Sequence, residues 1–425
     1  MKKILLRGPV LTRSGYGEHA RFILNALTTN PDFDIYVEPL NWGQTNWVFE
    51  DTDYRKYVDS LIQKFANLQQ RDPNYKYDVS LQVTIPNEWK KIAHSDIGVC
   101  AGIETDRVAP VWLQKANEMD GVIVTSNHAK SGFVNSSYTL QDEQGRALQK
   151  LNCNVPVSVG HYGVKKVEPA NIDLGLKYDF NFLTVAQMGP RKNLAPMIKW
   201  FAEEFHKEEV GFVVKANIAN NSKIDRLKIK RAVKQVLKPF GSERKCKVHL
   251  VHGNMSDEEV HALYVHPKIK SYVTATHGEG FGLPIFEAAY SALPVIAPAW
   301  SGHVDFLYAP VTNVKSKKTT VKPLFEKVAF DIKPVTSDAH WDGVVTADSN
   351  WCYPRKDKFQ KAMRSVYDGY NAKKKMADQL QSYLLEEFDM NKKYQDIVNA
   401  VNEMSSTNSK PEDQNFVQSD KVMVL

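Results

Sequence analysis

Cysteine is scarce. Cys100, Cys153, Cys246 and Cys352 are the only four among 425 residues, and no two form a CxxC pair. A disulfide scaffold is excluded, and a thiolate zinc site lacks the spacing it needs. Long apolar runs are also missing. The opening run, Ile4-Leu5-Leu6, breaks at Arg7 and Pro9, far too early for a signal segment, and no stretch nears the roughly 18 apolar residues of a membrane span. A cytoplasmic, reducing setting is the expectation. Glycine (22) and proline (20) are too few for a collagen-like or low-complexity chain. Neither sign of charge dominates: 55 Lys and Arg stand against 49 Asp and Glu, a net +6 that permits an anionic partner without demanding one.

What is present is a repeated alternation. Lys3 to Gly8 reads as a short buried strand ending in a glycine turn, followed by the loop Leu11 to Gly17 and a helix from Glu18 to Leu27. Strands at Asp34–Val37, Asp78–Val83, Ile97–Cys100, Gly121–Thr125 and Val155–Val159 continue the pattern. It lapses over 165–178 and resumes with Phe180–Ala186, Gly211–Lys215, Lys247–Val251 and Ser271–Ala275. Two α/β units in series are predicted, each a doubly wound parallel sheet of Rossmann-like type, facing a cleft. The expected boundaries are 1–168 for an acceptor-side domain and 169–385 for a donor-binding domain. Residues 308–350 read as an irregular insertion, 386–404 as a helix crossing back to the first domain, and 405–425 as a disordered polar tail.

The densest chemistry lies in His277-Gly278-Glu279-Gly280-Phe281-Gly282-Leu283-Pro284-Ile285-Phe286-Glu287-Ala288, between a strand and a helix. Alternate glycines let backbone approach a ligand. Pro284 suits a first helical turn, and the turn's N–H groups and dipole favour an anion such as a diphosphate. Glu287 is placed to accept from ribose hydroxyls, and Glu279 from sugar hydroxyls. A second strand–loop–helix junction carries Arg191-Lys192, two cations able to clamp a diphosphate. As an isolated pair they would read as a solvated basic loop.

Glu279 and Glu287, with seven residues between them, resemble the E-x7-E motif of the retaining, nucleotide-sugar-dependent glycosyltransferases of family 4, which have the GT-B fold. The likeness runs over about 20 consecutive residues, through Leu293-Pro294-Val295-Ile296-Ala297. It implies that Glu279 lies by the donor sugar and Glu287 binds the donor ribose, with Gly280, Phe281, Gly282 and Leu283 around the donor. It also implies that Arg191 and Lys192 stabilise the departing diphosphate. Their adjacency departs from the wider spacing of many members, and Lys192-Asn193 matches best. Ser14-Gly15-Tyr16-Gly17 resembles the glycine loop facing donor phosphates and acceptor, which assigns Gly15 and Gly17 to donor binding. Gly253, in Val251-His252-Gly253-Asn254, falls in the segment whose backbone contacts the nucleobase. Many members place a His where this chain has Ala101-Gly102-Ile103-Glu104-Thr105-Asp106, and Glu104 is the acceptor-side candidate.

The resemblance implies a nucleotide-diphosphate-sugar co-substrate, no further cofactor and retention of anomeric configuration. Asp51-Thr52-Asp53 has the DxD form of metal-dependent transferases, but it sits in a polar stretch and reads as a surface turn, so no metal is expected. The acceptor is open: a carbohydrate, or DNA. Lys223 to Lys247 holds ten Lys or Arg against Asp225 and Glu243, and Lys315, Lys317, Lys318, Lys322 and Lys327 follow later. Such runs bind nucleic acid or an anionic membrane, or simply solvate a helix face. The alternatives are therefore a phage-type transferase acting on hydroxylated DNA bases and a non-catalytic nucleic-acid-binding protein. An epimerase or phosphorylase of the same fold is a third, the phosphorylase needing a pyridoxal phosphate for which no motif is seen.

Overall fold

The structure, a computed structural model, describes residues 1–43, 45–48, 50–142, 144, 146–313 and 315–406. Of the tail expected to be disordered, 407–425 lie outside the described residues. The chain divides into two units. The first comprises Met1–Gly163, Val335–Ser349 and the chain from Met390; the second comprises Val164–Pro334 and Asn350–Asp389.

The first unit is built on β1 (Lys2–Gly8), β2 (Phe33–Pro39), β3 (Tyr77–Val83), β4 (Ala93–Cys100) and β5 (Gly121–Val124). A small antiparallel hairpin, β6 (Tyr138–Gln141) with β7 (Ala147–Leu151), precedes β8 (Val157–Val159). The sheet order is β2-β1-β3-β4-β5-β8, and every pair is parallel. A parallel sheet buried on both faces requires unbroken apolar runs, which is why Ile4, Leu5 and Leu6 are all buried. The intervening helices are α1 (Gly15–Thr28), α2 (Asp53–Arg71), α3 (Pro110–Asn117) and α4 (Asn127–Asn135). Thr52 caps α2, its hydroxyl accepting from the Arg55 N–H, while Asp51 and Asp53 are exposed beside Lys56. The DxD is thus a helix start.

The second unit runs β9 (Asn181–Gln187), α5 (Leu194–Glu204), β10 (Gly211–Asn217), α6 (Lys223–Leu237), β11 (Lys247–Val251), α7 (Asp257–Val265), β12 (Ile269–Val273), α8 (Leu283–Tyr290) and β13 (Val295–Pro298). Part of the segment expected to be irregular forms strands. After a short helix α9 (Val304–Leu307) come an antiparallel pair, β14 (Tyr308–Thr312) and β15 (Thr319–Pro323), then β16 (Glu326–Val328). β16 pairs parallel with β13 as the sixth strand of the sheet β11-β10-β9-β12-β13-β16. Three residues give a pattern too short to read in the sequence. β17 (Phe330–Pro334) and β18 (Asn350–Pro354) pair antiparallel. The residues between them belong to the first unit, where the Asn87 amide donates to the Gly343 carbonyl and Arg107 meets Asp348 at 2.7 Å.

The chain after Lys356 forms three helices: α10 (Lys356–Asp368), α11 (Tyr370–Glu387) and α12 (Met390–Ser406). α12 belongs to the first unit and buries Ile397, Val401 and Met404. Each sheet reverses its strand order once, between β1 and β3 in the first and between β9 and β12 in the second. Crevices at the carboxyl ends of strands beside such a reversal are where open α/β sheets bind ligands.

Candidate functional site

The reversal in the second unit brings two loops together. After β9, Pro190 opens a single 3-10 turn through Lys192, and Asn193 ends it at φ 52° and starts α5. No side chain caps α5; the Asn193 amide instead donates to the Ala275 carbonyl, 3.2 Å away. After β12, Gly282 holds φ 96° and starts α8, again with no side-chain cap. The two loops are stitched by the His277 N–H donating to the Arg191 carbonyl at 2.8 Å.

Glu279 is the centre. The residue is 7% exposed. Lys192 Nζ donates to both carboxylate oxygens at 2.6 and 2.7 Å, and Arg191 Nη1 donates to one at 3.0 Å and to the Gly278 carbonyl at 2.7 Å. Burial by itself would raise the Glu279 pKa. Lys192 and then Arg191 outweigh it and hold the group at about 2, so it is ionised at neutral pH. Two cations against one carboxylate leave a formal surplus of one positive charge between two uncapped helix starts. That arrangement favours an anion with several negative charges.

The loop after β13 fixes Glu279 from behind. The Glu279 N–H donates to Ser301 Oγ at 2.9 Å, and the Gly302 N–H donates to the Glu279 carbonyl at 2.9 Å. A Cβ on Gly302 would sit 2.0 Å from the Gly280 carbonyl oxygen, so the two loops close only over glycine. Ser301 holds φ 76°, a left-handed conformation unusual for a residue with a side chain. His303 is fully buried, and burial lowers its pKa, leaving a neutral ring. Its Nε2 lies 2.7 Å from the Pro298 carbonyl and therefore carries the proton. Nδ1 then faces the Ser301 hydroxyl as an acceptor at 3.5 Å. His277 is held by β18: Nδ1 donates to the Cys352 carbonyl at 2.7 Å, and the ring stacks on Trp351 at 5.5 Å.

Glu287 lies further along α8 and accepts from the buried Tyr264 hydroxyl of α7 at 2.8 Å. Burial, then the Glu287 charge, pushes the Tyr264 pKa well up, so the phenol keeps its proton and donates. Glu287, Tyr264, His261 and Tyr290 line a cavity of about 30 Å³. Gly253, at φ 128° after β11, offers its carbonyl to Lys215 Nζ at 2.8 Å.

Arg191, Lys192 and Glu279, predicted separately, thus form one cluster. Gly280 and Gly282 line its loop, and Leu283 begins α8. Phe281, expected beside the donor, buries its ring against Phe286 and Phe306, with centroids 5.2 and 4.9 Å apart. Only its backbone is left to face a ligand. Glu104, Gly15 and Gly17 belong to the first unit. Glu104 is half-buried on the loop after β4. Neighbouring Thr105 does not cap α3; its hydroxyl donates to the Arg107 carbonyl at 2.7 Å. Gly15 opens α1 onto space, whereas a Cβ on Gly17 would lie 2.0 Å from the Thr12 carbonyl oxygen. Asn193, Lys215, Tyr264, Ser301 and His303 were not anticipated as site residues. The sequence cue for the last pair was a Ser-Gly-His tripeptide following a buried apolar strand. Among the described residues, no group of three His, Cys, Asp or Glu is arranged to hold a metal, and no helix is long and apolar enough to cross a membrane.

No protein-family model matches the sequence, and no curated protein does. Solved structures match over nearly the whole chain. HepE of Anabaena, in complex with UDP and glucose, is 15% identical with a TM-score of 0.60, covering 95% of this chain and 100% of HepE. A glycosyltransferase from Rickettsia africae is 13% identical (TM-score 0.58), covering 96% of this chain and 99% of its own. Sucrose-phosphate synthase from Thermosynechococcus elongatus is 12% identical (TM-score 0.59), covering 96% and 100%. At such identities the likeness establishes a shared fold. The chain has the GT-B fold: two doubly wound parallel α/β units and a helical C-terminal segment.

Proposed function

We propose that this protein is a glycosyltransferase that moves a hexosyl or pentosyl group from a nucleotide-diphosphate sugar to an acceptor hydroxyl, with retention of anomeric configuration. The observation that carries the reading is the cluster of half-buried Arg191 and Lys192 on the buried Glu279, between two uncapped helix starts at the strand-order reversal. In this reading the bond from the anomeric carbon to the diphosphate breaks as the acceptor oxygen bonds to that carbon, and the acceptor hydroxyl's proton passes to the departing diphosphate. Negative charge builds on the leaving diphosphate, and Arg191 and Lys192 meet it without a metal ion. Glu279 keeps both cations in place before the donor arrives and accepts from sugar hydroxyls. Glu287, oriented by Tyr264, accepts from the ribose, and the Gly253 backbone borders the nucleobase. In the same reading Glu104 acts on the acceptor, and the Gly15 and Gly17 loop takes part in donor binding.

UDP-glucose is the first donor to try, since HepE has been solved with it. A panel of nucleotide-sugars should contain one that raises the melting temperature. At about a hundred times its Kd it adds roughly 2.7 kcal/mol to the folded state. Glu287→Ala should lose that stabilisation, and Lys192→Ala should lose turnover. If no nucleotide-sugar stabilises the protein, or both variants behave as wild type, the assignment fails.

A further inference from the structure

We propose that the second unit docks on an anionic lipid bilayer through the outer face of α6. The helix separates its charges completely. Its only acid, Asp225, is buried, accepts from the Ile218 and Ala219 N–H groups, and pairs with His252 at 2.9 Å. Ile229 and Val233 bury beside it. The outer side carries Lys223, Arg226, Lys228, Lys230, Arg231 and Lys234, all exposed, and Lys238 extends the row. None of these six makes an ion pair with a described residue, although Lys and Glu pairs are common elsewhere on the molecule. Among the described residues the charge therefore has no ion-pair partner.

The apolar residues decide which anionic partner fits. Ile224 is 67% exposed and Leu227 54% exposed. Three positions apart, they share the outer face, with Lys223 and Lys230 on one flank and Lys228 on the other. A phosphodiester backbone would neutralise the cations and leave two branched aliphatic side chains against phosphate and water. A bilayer takes both groups: lysines extend to headgroup phosphates while Ile224 and Leu227 enter the boundary with the acyl chains. The β14–β15 hairpin supplies an internal control. Among its described residues it carries Lys315, Lys317 and Lys318 with one large exposed aliphatic, Val321. No residue of α6's outer face belongs to the Glu279 cluster, so the inference stands whether or not the transferase reading does.

The test is flotation of the full-length protein with phosphatidylcholine vesicles, with and without phosphatidylglycerol, at about 0.1 M and 0.5 M salt. The protein should float with the anionic vesicles alone, and less at high salt. The pair Ile224→Ser with Leu227→Ser, and the pair Lys228→Glu with Arg231→Glu, should each cut the bound fraction roughly tenfold. Reversing Lys315, Lys317 and Lys318 together should change it by less than about twofold. Melting temperatures should stay at wild type in the serine pair, which rules out misfolding as the cause. The proposal is overturned by failure to float on anionic vesicles, by serine variants that bind normally, or by an equal loss in the hairpin variant. Salt-dependent capture of duplex DNA in place of vesicles would also overturn it.

Discussion

The two units share a plan, six parallel strands with one reversal of order, yet they finish the reversal in opposite ways. In the first unit the loop after β1 spends its polar groups on itself. Ser14 caps α1 by accepting from the Gly17 N–H at 2.9 Å. Arg21 donates to the Val10 and Thr12 carbonyls at 2.7 and 2.9 Å, and the Thr12 hydroxyl donates to the Pro9 carbonyl. Trp89 covers the end of β3, its indole N–H donating to the Gln82 carbonyl. In the second unit the corresponding helices start without side-chain caps, and the loops present two cations held by one buried carboxylate. Topology supplies a place for a ligand in both units; the residues at that place decide whether it can grip one.

The largest test of this contrast compares one residue from each reversal. Lys192→Ala should lower kcat by about 10²–10³, the usual loss when a preorganised charge partner of a transition state is removed. Ser14→Ala should cost about 1 kcal/mol of stability, as a lost helix cap does, and leave kcat within a few-fold. Initial rates at saturating donor and urea melts on both variants decide it. Comparable losses of turnover would erase the distinction between a sealed loop and a loaded one.

Acid should act on the loaded loop next. Glu279 has its pKa lowered from 4.5 to about 2 in the folded protein. The unfolded chain therefore binds the proton first as pH falls. The associated stability is fully present above about pH 4.5 and disappears as pH drops toward 2, a change of up to about 3 kcal/mol. Glu279→Gln should be less stable at pH 7, because two cations lose their counter-charge, and its stability should vary less between pH 4.5 and 2. Urea unfolding at stepped pH reads both effects. Parallel curves for variant and wild type would mean that the cluster does not form in solution.

A smaller effect separates the two glutamates. Glu287→Ala should weaken donor binding about tenfold, the order expected when one hydrogen bond to a charged group is lost. Tyr264→Phe, which removes the hydroxyl orienting Glu287, should show a weaker form of the same binding defect. Titration calorimetry with the donor checks both. A stronger defect from Tyr264→Phe than from Glu287→Ala would reassign the ribose contact to the phenol.

Much of this was legible because it is local. Strand, glycine loop and helix follow one another within about twenty residues at both junctions, so apolar periodicity and turn residues expose the units, and the resemblance to the E-x7-E motif marks Glu279, Glu287, Arg191 and Lys192 as candidates. What stayed hidden is non-local. Nothing near Arg191 in the sequence says that Glu279 will lie 3.0 Å away. β16 is three residues long and takes its place only by pairing with β13. Phe281 sits between two glycines and reads as loop, but the left-handed Gly282 turns the chain so that its ring joins Phe286 and Phe306. Tyr264 and His303 look like ordinary members of a helix and a loop until the fold supplies their partners.

The smallest effect concerns the strain at Ser301. Its hydroxyl accepts from the Glu279 N–H, while its backbone sits at φ 76°, where a Cβ is unfavourable by roughly 1 kcal/mol. Ser301→Ala keeps the Cβ and loses the acceptor, leaving a buried N–H unpaired at a cost of about 1–3 kcal/mol. Ser301→Gly loses the same acceptor but relieves the backbone, and this relief is partly offset by the extra entropy of glycine in the unfolded chain. The glycine variant should therefore melt slightly above the alanine variant, with both below wild type. Donor turnover should fall equally in the two, since both free the Glu279 backbone. If alanine proves the more stable replacement, position 301 is not under backbone strain.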